Sequence, residues 1–191
     1  MNILIIGATG SLGRTLTKEL LETTDYNLTL FSRSASKLKN STRVNVVEGN
    51  IMDEKILMQV VKDKDLVFVA LSGDLPTMAR KITEAMKKVA SERIVFVSSY
   101  GIYREIAGRS EINPILIPYR EAADIVEQSG LTYTILRPGW FDNSEDLSCN
   151  VTIKGETIYG HDISRKAIAN FVISLIKNPT IYINESCGLT R

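Results

Sequence analysis

The sequence predicts an α/β domain: a single, doubly wound, mainly parallel sheet with helices on both faces. Three observations predict it. Short aliphatic runs alternate with helical periodicities along the whole chain, and those runs lack the polar alternation of half-exposed strands. Three glycines, Gly7, Gly10 and Gly13, stand directly behind the first run and open the first helix. Alternation of this kind requires right-handed crossovers, which lay helices over both faces of a parallel sheet. With 191 residues the chain has the length of about one domain and can bury a substantial core. No internal repeat, low-complexity stretch or linker divides it, so residues 1–191 read as one domain.

The predicted strands are Asn2–Ile6, Asn27–Ser32, Val44–Glu48, Leu66–Ala70, Arg93–Ser98 and Thr132–Arg137, all rich in Val, Ile, Leu and Phe. Between them, residues 12–22 place Leu12, Leu16 and Leu20 on one helical face. Asp53 is placed to cap a helix over 54–62. Pro76 opens 76–90, whose stripe is Met78, Ile82, Ala85, Met86 and Val89. Residues 119–129 carry Ala122, Ile125 and Val126, and residues 164–177 carry Ala167, Ile168, Phe171, Val172 and Leu175. The stretches 101–118 and 140–163 are the least regular, and each follows a late strand. Ligands of open α/β sheets sit at the carboxyl ends of the strands, so these two stretches are the expected substrate-side walls.

Composition excludes several classes. Hydrophobic residues make up 44% and charged residues 24%, and the net charge of +1 is spread along the chain. Nothing masses the positive field that a nucleic acid or an anionic membrane surface would need. Apolar runs such as Val67–Leu71 are too short to span a bilayer. Cys149, Cys187 and the lone His161 form no metal-ligand set, so no metal is expected and both thiols read as reduced. Met1 leads straight into a strand with no basic leader, which gives a cytoplasmic protein as the expectation.

The spacing G-x-x-G-x-x-G between a strand and a helix suits a phosphate. The turn needs residues without a Cβ, the first N–H groups of the helix are unpaired, and the helix dipole is positive there. The alternative is a tight turn that binds nothing. Twenty positions beyond Gly13, where NAD-binding domains carry an acidic residue for the ribose 2′-hydroxyl, this chain has Arg33 between Ser32 and Ser34. A guanidinium there accepts a 2′-phosphate through charge-assisted bonds, so NADPH is expected over NADH. Otherwise Arg33 is a solvated residue at a strand end.

Five segments carry a family resemblance: "GATGSLG" at 7–13, "EGNIMD" at 48–53, "FVSSYGIY" at 96–103, "SGLTYTILRPGWF" at 129–141 and "SRKAIANFV" at 164–172. Together they run from end to end. The chain resembles the atypical short-chain dehydrogenases/reductases of the NAD(P)H-binding, NmrA-like kind, a group that includes flavin and biliverdin reductases. The resemblance implies a sheet in Rossmann order. It places the backbone of Thr9, Gly10, Ser11, Leu12 and Gly13 on the pyrophosphate and Arg33 on the 2′-phosphate. Asn50 and Ile51 would flank the adenine, with Asn50 standing where an aspartate is usual. Ala70, Leu71 and Ser72 would line the ribose, and Pro138 and Gly139 would meet the nicotinamide.

The catalytic residues of that superfamily are only partly present. None of the seven tyrosines has a lysine four residues on, so the Tyr-x-x-x-Lys dyad, whose cation lowers the tyrosine pKa, is missing. Where the NmrA-like branch often has a lysine four residues before a glutamate, this chain has Arg120 and Asp124. Arg120 keeps a positive charge near the nicotinamide ribose or simply pairs with Asp124, and it cannot act as an acid at neutral pH. Ser99 stands where the superfamily keeps a catalytic Ser or Thr, although a turn serine would look the same. Tyr103 and Tyr119 are candidate pocket residues or rim residues. Trp140 and Phe141 either stack on an aromatic substrate or pack in the core, and His161 reads as a loop histidine.

Two functions fit. The first is an NADPH-dependent oxidoreductase passing hydride to a small planar acceptor, a quinone or flavin, for which solvent supplies the proton. The second is a non-catalytic NADP(H)-binding redox sensor with a protein partner.

Overall fold

The computed structural model describes residues 1–109 and 111–191; residue 110, inside the predicted 101–118 stretch, lies outside the described residues. The strands are β1 (Asn2–Ile6), β2 (Asn27–Ser32), β3 (Val44–Glu48), β4 (Leu66–Val69), β5 (Arg93–Val97), β6 (Thr132–Pro138), β7 (Trp140–Asp142), β8 (Asn150–Ile153), β9 (Asp162–Ser164) and β10 (Glu185–Thr190). The helices are α1 (Ser11–Thr23), α2 (Glu54–Val61), α3 (Leu75–Lys88), α4 (Ile117–Glu127) and α5 (Arg165–Lys177). Eight strands form one sheet in the order β3-β2-β1-β4-β5-β6-β10-β8. All its pairs are parallel except β8 against β10. This is the doubly wound α/β fold that the sequence predicts.

Why the strands are apolar throughout is visible in β1. Ile3 and Ile5 face a layer formed by Leu12, Leu16 and Leu20 of α1 and Ile168, Val172 and Ile173 of α5. Leu4 and Ile6 face the opposite layer, with Leu57 and Val61 of α2, Ile82 and Met86 of α3, and Val126 of α4. Both faces are covered, and each buried aliphatic side chain contributes roughly 1.5–3 kcal/mol of transfer free energy. Side-chain oxygens cap three helices: Asp53 accepts from Ile56 N at 3.1 Å, Asp74 from Thr77 N at 3.3 Å and Ser164 from Ala167 N at 2.9 Å. The cap read at Asp53 is thus present.

The main difference from the sequence reading lies in the stretch 140–163. Expected to be irregular, it holds β7, β8 and all but the last residue of β9, and β10 follows near the C-terminus. β7 and β9 pair in parallel as a separate two-stranded sheet, with Trp140 opposite Asp162. These strands are short, and their partners lie far away in sequence, so local pattern does not mark them. β10 carries Gly188, where a Cβ would come within 2.6 Å of Ile158 Cδ1, so packing set that residue rather than strand propensity.

A buried ion pair ties this later half together. The fully buried Arg137 guanidinium donates to Glu105, to Ser186 Oγ at 3.1 Å, to Ser186 O at 2.9 Å and to Thr152 O at 3.2 Å. One side chain of β6 thereby joins the loop after β5, the edge strand β8 and β10. No helix among the described residues is long and apolar enough to cross a membrane.

Candidate functional site

The carboxyl ends of β1 to β6 form one continuous edge, and the glycine loop lies at its centre. Gly7 leaves β1 with φ +91°, and a Cβ there would sit 2.0 Å from Ala70 O at the end of β4. A Cβ on Gly13 would sit 2.4 Å from Gly7 O, so the close approach of α1 to the loop requires this glycine too. Gly10 differs. It is exposed, its N–H reaches Gly7 O at 2.9 Å, and it caps α1 with no side-chain bond. With no acidic residue in its first turn either, α1 presents unpaired N–H groups and the positive end of its dipole at the surface. Such a cradle fits a diphosphate.

The neighbouring strand ends extend the crevice. Gly7 N and Ala8 N bond to Phe31 O, and the Thr9 hydroxyl lies 2.6 Å from Ser32 Oγ and 3.3 Å from Ser34 Oγ. Arg33 is exposed beside them and enters no ion pair among the described residues. At the end of β3, Asn50 Oδ1 accepts from Met52 N at 3.0 Å, while Ile51 is buried against the α2–α3 layer. Ala70 and Leu71 touch the loop at Gly7, and Ser72 is exposed beyond them. Sequence reasoning passes over Arg14, whose Nη1 donates to Thr9 O at 2.7 Å and so brings a second guanidinium to the loop. Its signal is its place immediately after Gly13.

Past β4, the edge changes character. Ser98 is buried and its hydroxyl donates to Tyr119 O at 3.0 Å, whereas Ser99 Oγ has only a 3.5 Å contact to Tyr100 O. The Ser99 hydroxyl is therefore free to turn toward a ligand. Tyr100 N bonds to Pro138 O at 3.3 Å, Gly139 N to Leu189 O at 2.9 Å and Trp140 N to His161 O at 2.9 Å. A Cβ on Gly139 would meet His161 O at 2.0 Å, which fixes the close approach of the β9 segment to the end of β6.

Three aromatic side chains meet there. The Trp140 and His161 rings are nearly parallel, 17° apart with centroids separated by 6.2 Å, and Tyr100 meets His161 edge-on at 6.2 Å. Tyr100 OH donates to Gly160 O at 3.1 Å, and burial raises its pKa, so the phenol stays protonated at neutral pH. His161 Nδ1 lies 2.6 Å from Asp162 Oδ1. Trp140 is 70% exposed, which overturns the core-packing alternative for that residue. Phe141 is 38% exposed and lies under the Arg165 guanidinium at 5.1 Å.

Two of the predicted residues occupy a different cleft. Arg120 Nε binds Asp124 at 2.9 and 3.0 Å, the ion pair considered from the sequence, and its guanidinium covers the Tyr103 ring at 4.5 Å. Tyr103 OH donates to Glu127 at 2.7 Å, Lys154 Nζ lies 4.4 Å from the ring, and burial raises the phenol pKa. Tyr103, Arg120 and Lys154 line a polar cleft of about 360 Å³ with Arg104, Glu105 and Thr157, and no glycine-loop residue takes part. Tyr119 is half-buried at the start of α4, where its carbonyl holds Ser98. Among the described residues no cluster of three or more His, Cys, Asp or Glu is placed to hold a metal.

The NAD(P)H-binding family model matches residues 7–179, from the first glycine into the chain beyond α5. The chain belongs to the NAD(P)H-binding family. This bears out the resemblance read from the five segments. Among solved structures, a Rossmann-fold NAD(P)-binding family protein from Shigella flexneri is 32% identical with a TM-score of 0.88, covering 100% of this chain and 93% of that one. A short-chain dehydrogenase/reductase from Veillonella parvula, solved in complex with NADP, is 25% identical with a TM-score of 0.89, covering 100% and 94%. An isoflavone reductase from Pisum sativum is 29% identical over 157 residues, which are 70% of this chain and 49% of that protein. The chain thus spans about half the length of that curated relative.

Proposed function

We propose that this protein is an NADPH-dependent oxidoreductase that reduces a small planar acceptor, a quinone or a flavin, bound against Trp140. The observation that carries this reading is the position of Trp140. A large indole is held out into solvent by backbone bonds at the carboxyl end of β6, where the edge passes from the glycine loop to the aromatic wall. Exposed aromatic surface next to a dinucleotide crevice suits a flat, conjugated ligand. The similarity to an NADP complex and to an isoflavone reductase supports the same class.

The residues take distinct roles. The N–H groups of Ser11, Leu12 and Gly13 receive the diphosphate over the bare backbone of Gly10, and Arg33, with Arg14 close by, receives the 2′-phosphate that makes NADPH the preferred form. Asn50 and Ile51 flank the adenine, and Ala70, Leu71 and Ser72 line the ribose. Pro138 and Gly139 form the floor at the nicotinamide, and Ser99 orients the acceptor or the carboxamide. A bound NADPH supplies one hydride; the acceptor takes that hydride and one proton, leaving NADP⁺ and the reduced acceptor. Solvent reaches this edge freely, so quinones and flavins need no dedicated acid here.

Titration of the protein with NADPH and NADH, for wild type and Arg33→Ala, tests the cofactor half. NADPH is expected to bind at least tenfold tighter, about 1.4 kcal/mol, and Arg33→Ala to erase the difference. NADPH oxidation with menadione and riboflavin as acceptors tests the chemistry. The missing Tyr-x-x-x-Lys dyad favours one second reading, a sensor. It is the correct one if no acceptor turns over while NADPH and NADP⁺ bind with clearly different affinity, because only differential affinity can shift a conformational equilibrium.

A further inference from the structure

Arg165 connects the two halves of the edge, and nothing in the local sequence pattern assigns it to the site. It is the first residue of α5, which packs beside α1. Its Nε donates to Ser11 Oγ at 3.0 Å, and Ser11 is the first residue of α1, inside the diphosphate cradle. Its Nη1 donates to Asp142 O at 3.2 Å and to Asn143 Oδ1 at 2.8 Å, and its guanidinium covers Phe141. The residues on either side hold the same segment: Ser164 Oγ donates to Asp146 O at 2.5 Å, and Lys166 pairs with Glu145.

What Arg165 lacks is as informative. Among the described residues no carboxylate pairs with it, and its Nη2 makes no hydrogen bond. A half-buried cation with only neutral acceptors, both Nη2 donors to spare and an uncapped helix N-terminus beside it is matched by an oxyanion. The guanidinium then serves both sides, with Nε and Nη2 toward the glycine loop and Nη1 toward the acceptor wall.

We propose that Arg165 is a contact for the cofactor diphosphate that also holds residues 141–143, so that filling the cofactor site sets the position of the Trp140 wall. The proposal rests on the cofactor reading above. Coupling of this kind is reciprocal: whatever the cofactor does for acceptor affinity, the acceptor does for cofactor affinity. A filled cofactor site is therefore expected to tighten the acceptor on this wall, and a bound acceptor to tighten the cofactor by the same factor.

The chain carries its own reporter, because Trp140 is its only tryptophan. The experiment titrates the full chain with NADP⁺, which cannot donate hydride, and follows Trp140 emission and its quenching by iodide. Adenosine 2′-monophosphate, which has the 2′-phosphate and no diphosphate, is the second probe. In wild type, NADP⁺ is expected to shift the emission and reduce iodide quenching, and the 2′-monophosphate to do neither. Arg165→Gln is expected to weaken NADP⁺ at least tenfold, to leave the affinity for the 2′-monophosphate unchanged and to silence Trp140 at saturating NADP⁺. Arg165→Lys keeps the charge but loses the fork, and is expected to recover part of the affinity without the Trp140 response.

Equal weakening of both probes would mean a structural role and overturn the proposal. So would unchanged NADP⁺ affinity in Arg165→Gln, or a Trp140 response that survives there. If neither nucleotide binds wild type, the failure belongs to the cofactor reading instead.

Discussion

Around the glycine loop, most of the bonds that shape the site come from the loop itself or the next strand: Gly10 N to Gly7 O, Arg14 to Thr9 O, Gly7 N to Phe31 O. Around Trp140, the bonds come from far along the chain. Trp140 N reaches His161 O, Gly139 N reaches Leu189 O, and Tyr100 OH reaches Gly160 O. One half of the edge is a local turn with a rigid parallel sheet behind it. The other is a set of short strands and loops held by a few distant contacts. A cofactor common to a large family suits the first kind of construction, and an acceptor that differs between relatives suits the second, since loops change without disturbing the sheet.

That contrast breaks hardest at Arg137. Arg137→Met leaves the Glu105 carboxylate buried without its partner, and removing one member of such a pair typically costs about 3–5 kcal/mol. The expected loss in urea unfolding is of that size. The double variant Arg137→Met/Glu105→Leu should recover most of it, because no uncompensated charge remains. NADPH binding by whatever fraction stays folded should change little, as the glycine loop makes no contact with the pair. A loss below about 1 kcal/mol for the single variant would show that the later half does not depend on this anchor.

The glycine loop supplies the next two tests. Gly7→Ala places a Cβ 2.0 Å from Ala70 O at a φ of +91°, so it should cost about 1–3 kcal/mol in strain and displacement and remove NADPH binding. Gly10→Ala meets only Gly7 O at 3.1 Å and faces solvent. Its melting temperature should move far less, while NADPH affinity drops about tenfold, near 1.4 kcal/mol, because the added methyl stands where the phosphate approaches. Comparable destabilisation by both substitutions would mean that Gly10 serves the turn and not a ligand.

The same division decides what can be read in advance. Six strands and five helices are legible because each has a local signature: an aliphatic run, an apolar stripe, or a capping Asp or Ser. The crevice residues are legible for the same reason, as they follow those strands directly. β7, β8, β9 and β10 are not, since Ser186, Gly188 and Thr152 make sense only against Arg137 and Ile158, which lie elsewhere in the sequence. Arg14 stands within reach, one position beyond the last glycine. Arg165 does not, because its meaning depends on α5 lying beside α1. Tyr103 and Arg120 look like pocket residues in sequence, yet the folded chain commits both to a polar cluster with Glu127 and Lys154.

On the acceptor side, Trp140→Ala should separate stability from binding. The indole is exposed, so unfolding free energy should stay within about 0.5 kcal/mol of wild type. The KM for menadione or riboflavin should rise several-fold while the Kd for NADPH holds. An unchanged KM would move the acceptor away from this wall.

The smallest effect concerns the two thiols, which lie outside both halves of the site. Burial pushes Cys187 up to about 12 and Cys149 to about 11, so the folded chain keeps both protonated at pH 8. Iodoacetamide at that pH should label the native protein far more slowly than the urea-unfolded chain. The same shifts fix the sign of a stability change. Above pH 9 the unfolded thiols ionise while the folded ones hold their protons, so the unfolded state binds fewer protons and stability declines as pH rises from about 9 toward 12. A serine at 149, which does not titrate in that range, should flatten part of this decline and leave the fold at pH 7 and NADPH binding unaltered. Rapid labelling of native protein at pH 8 would show instead that the β8 edge opens more readily than its pairing with β10 implies.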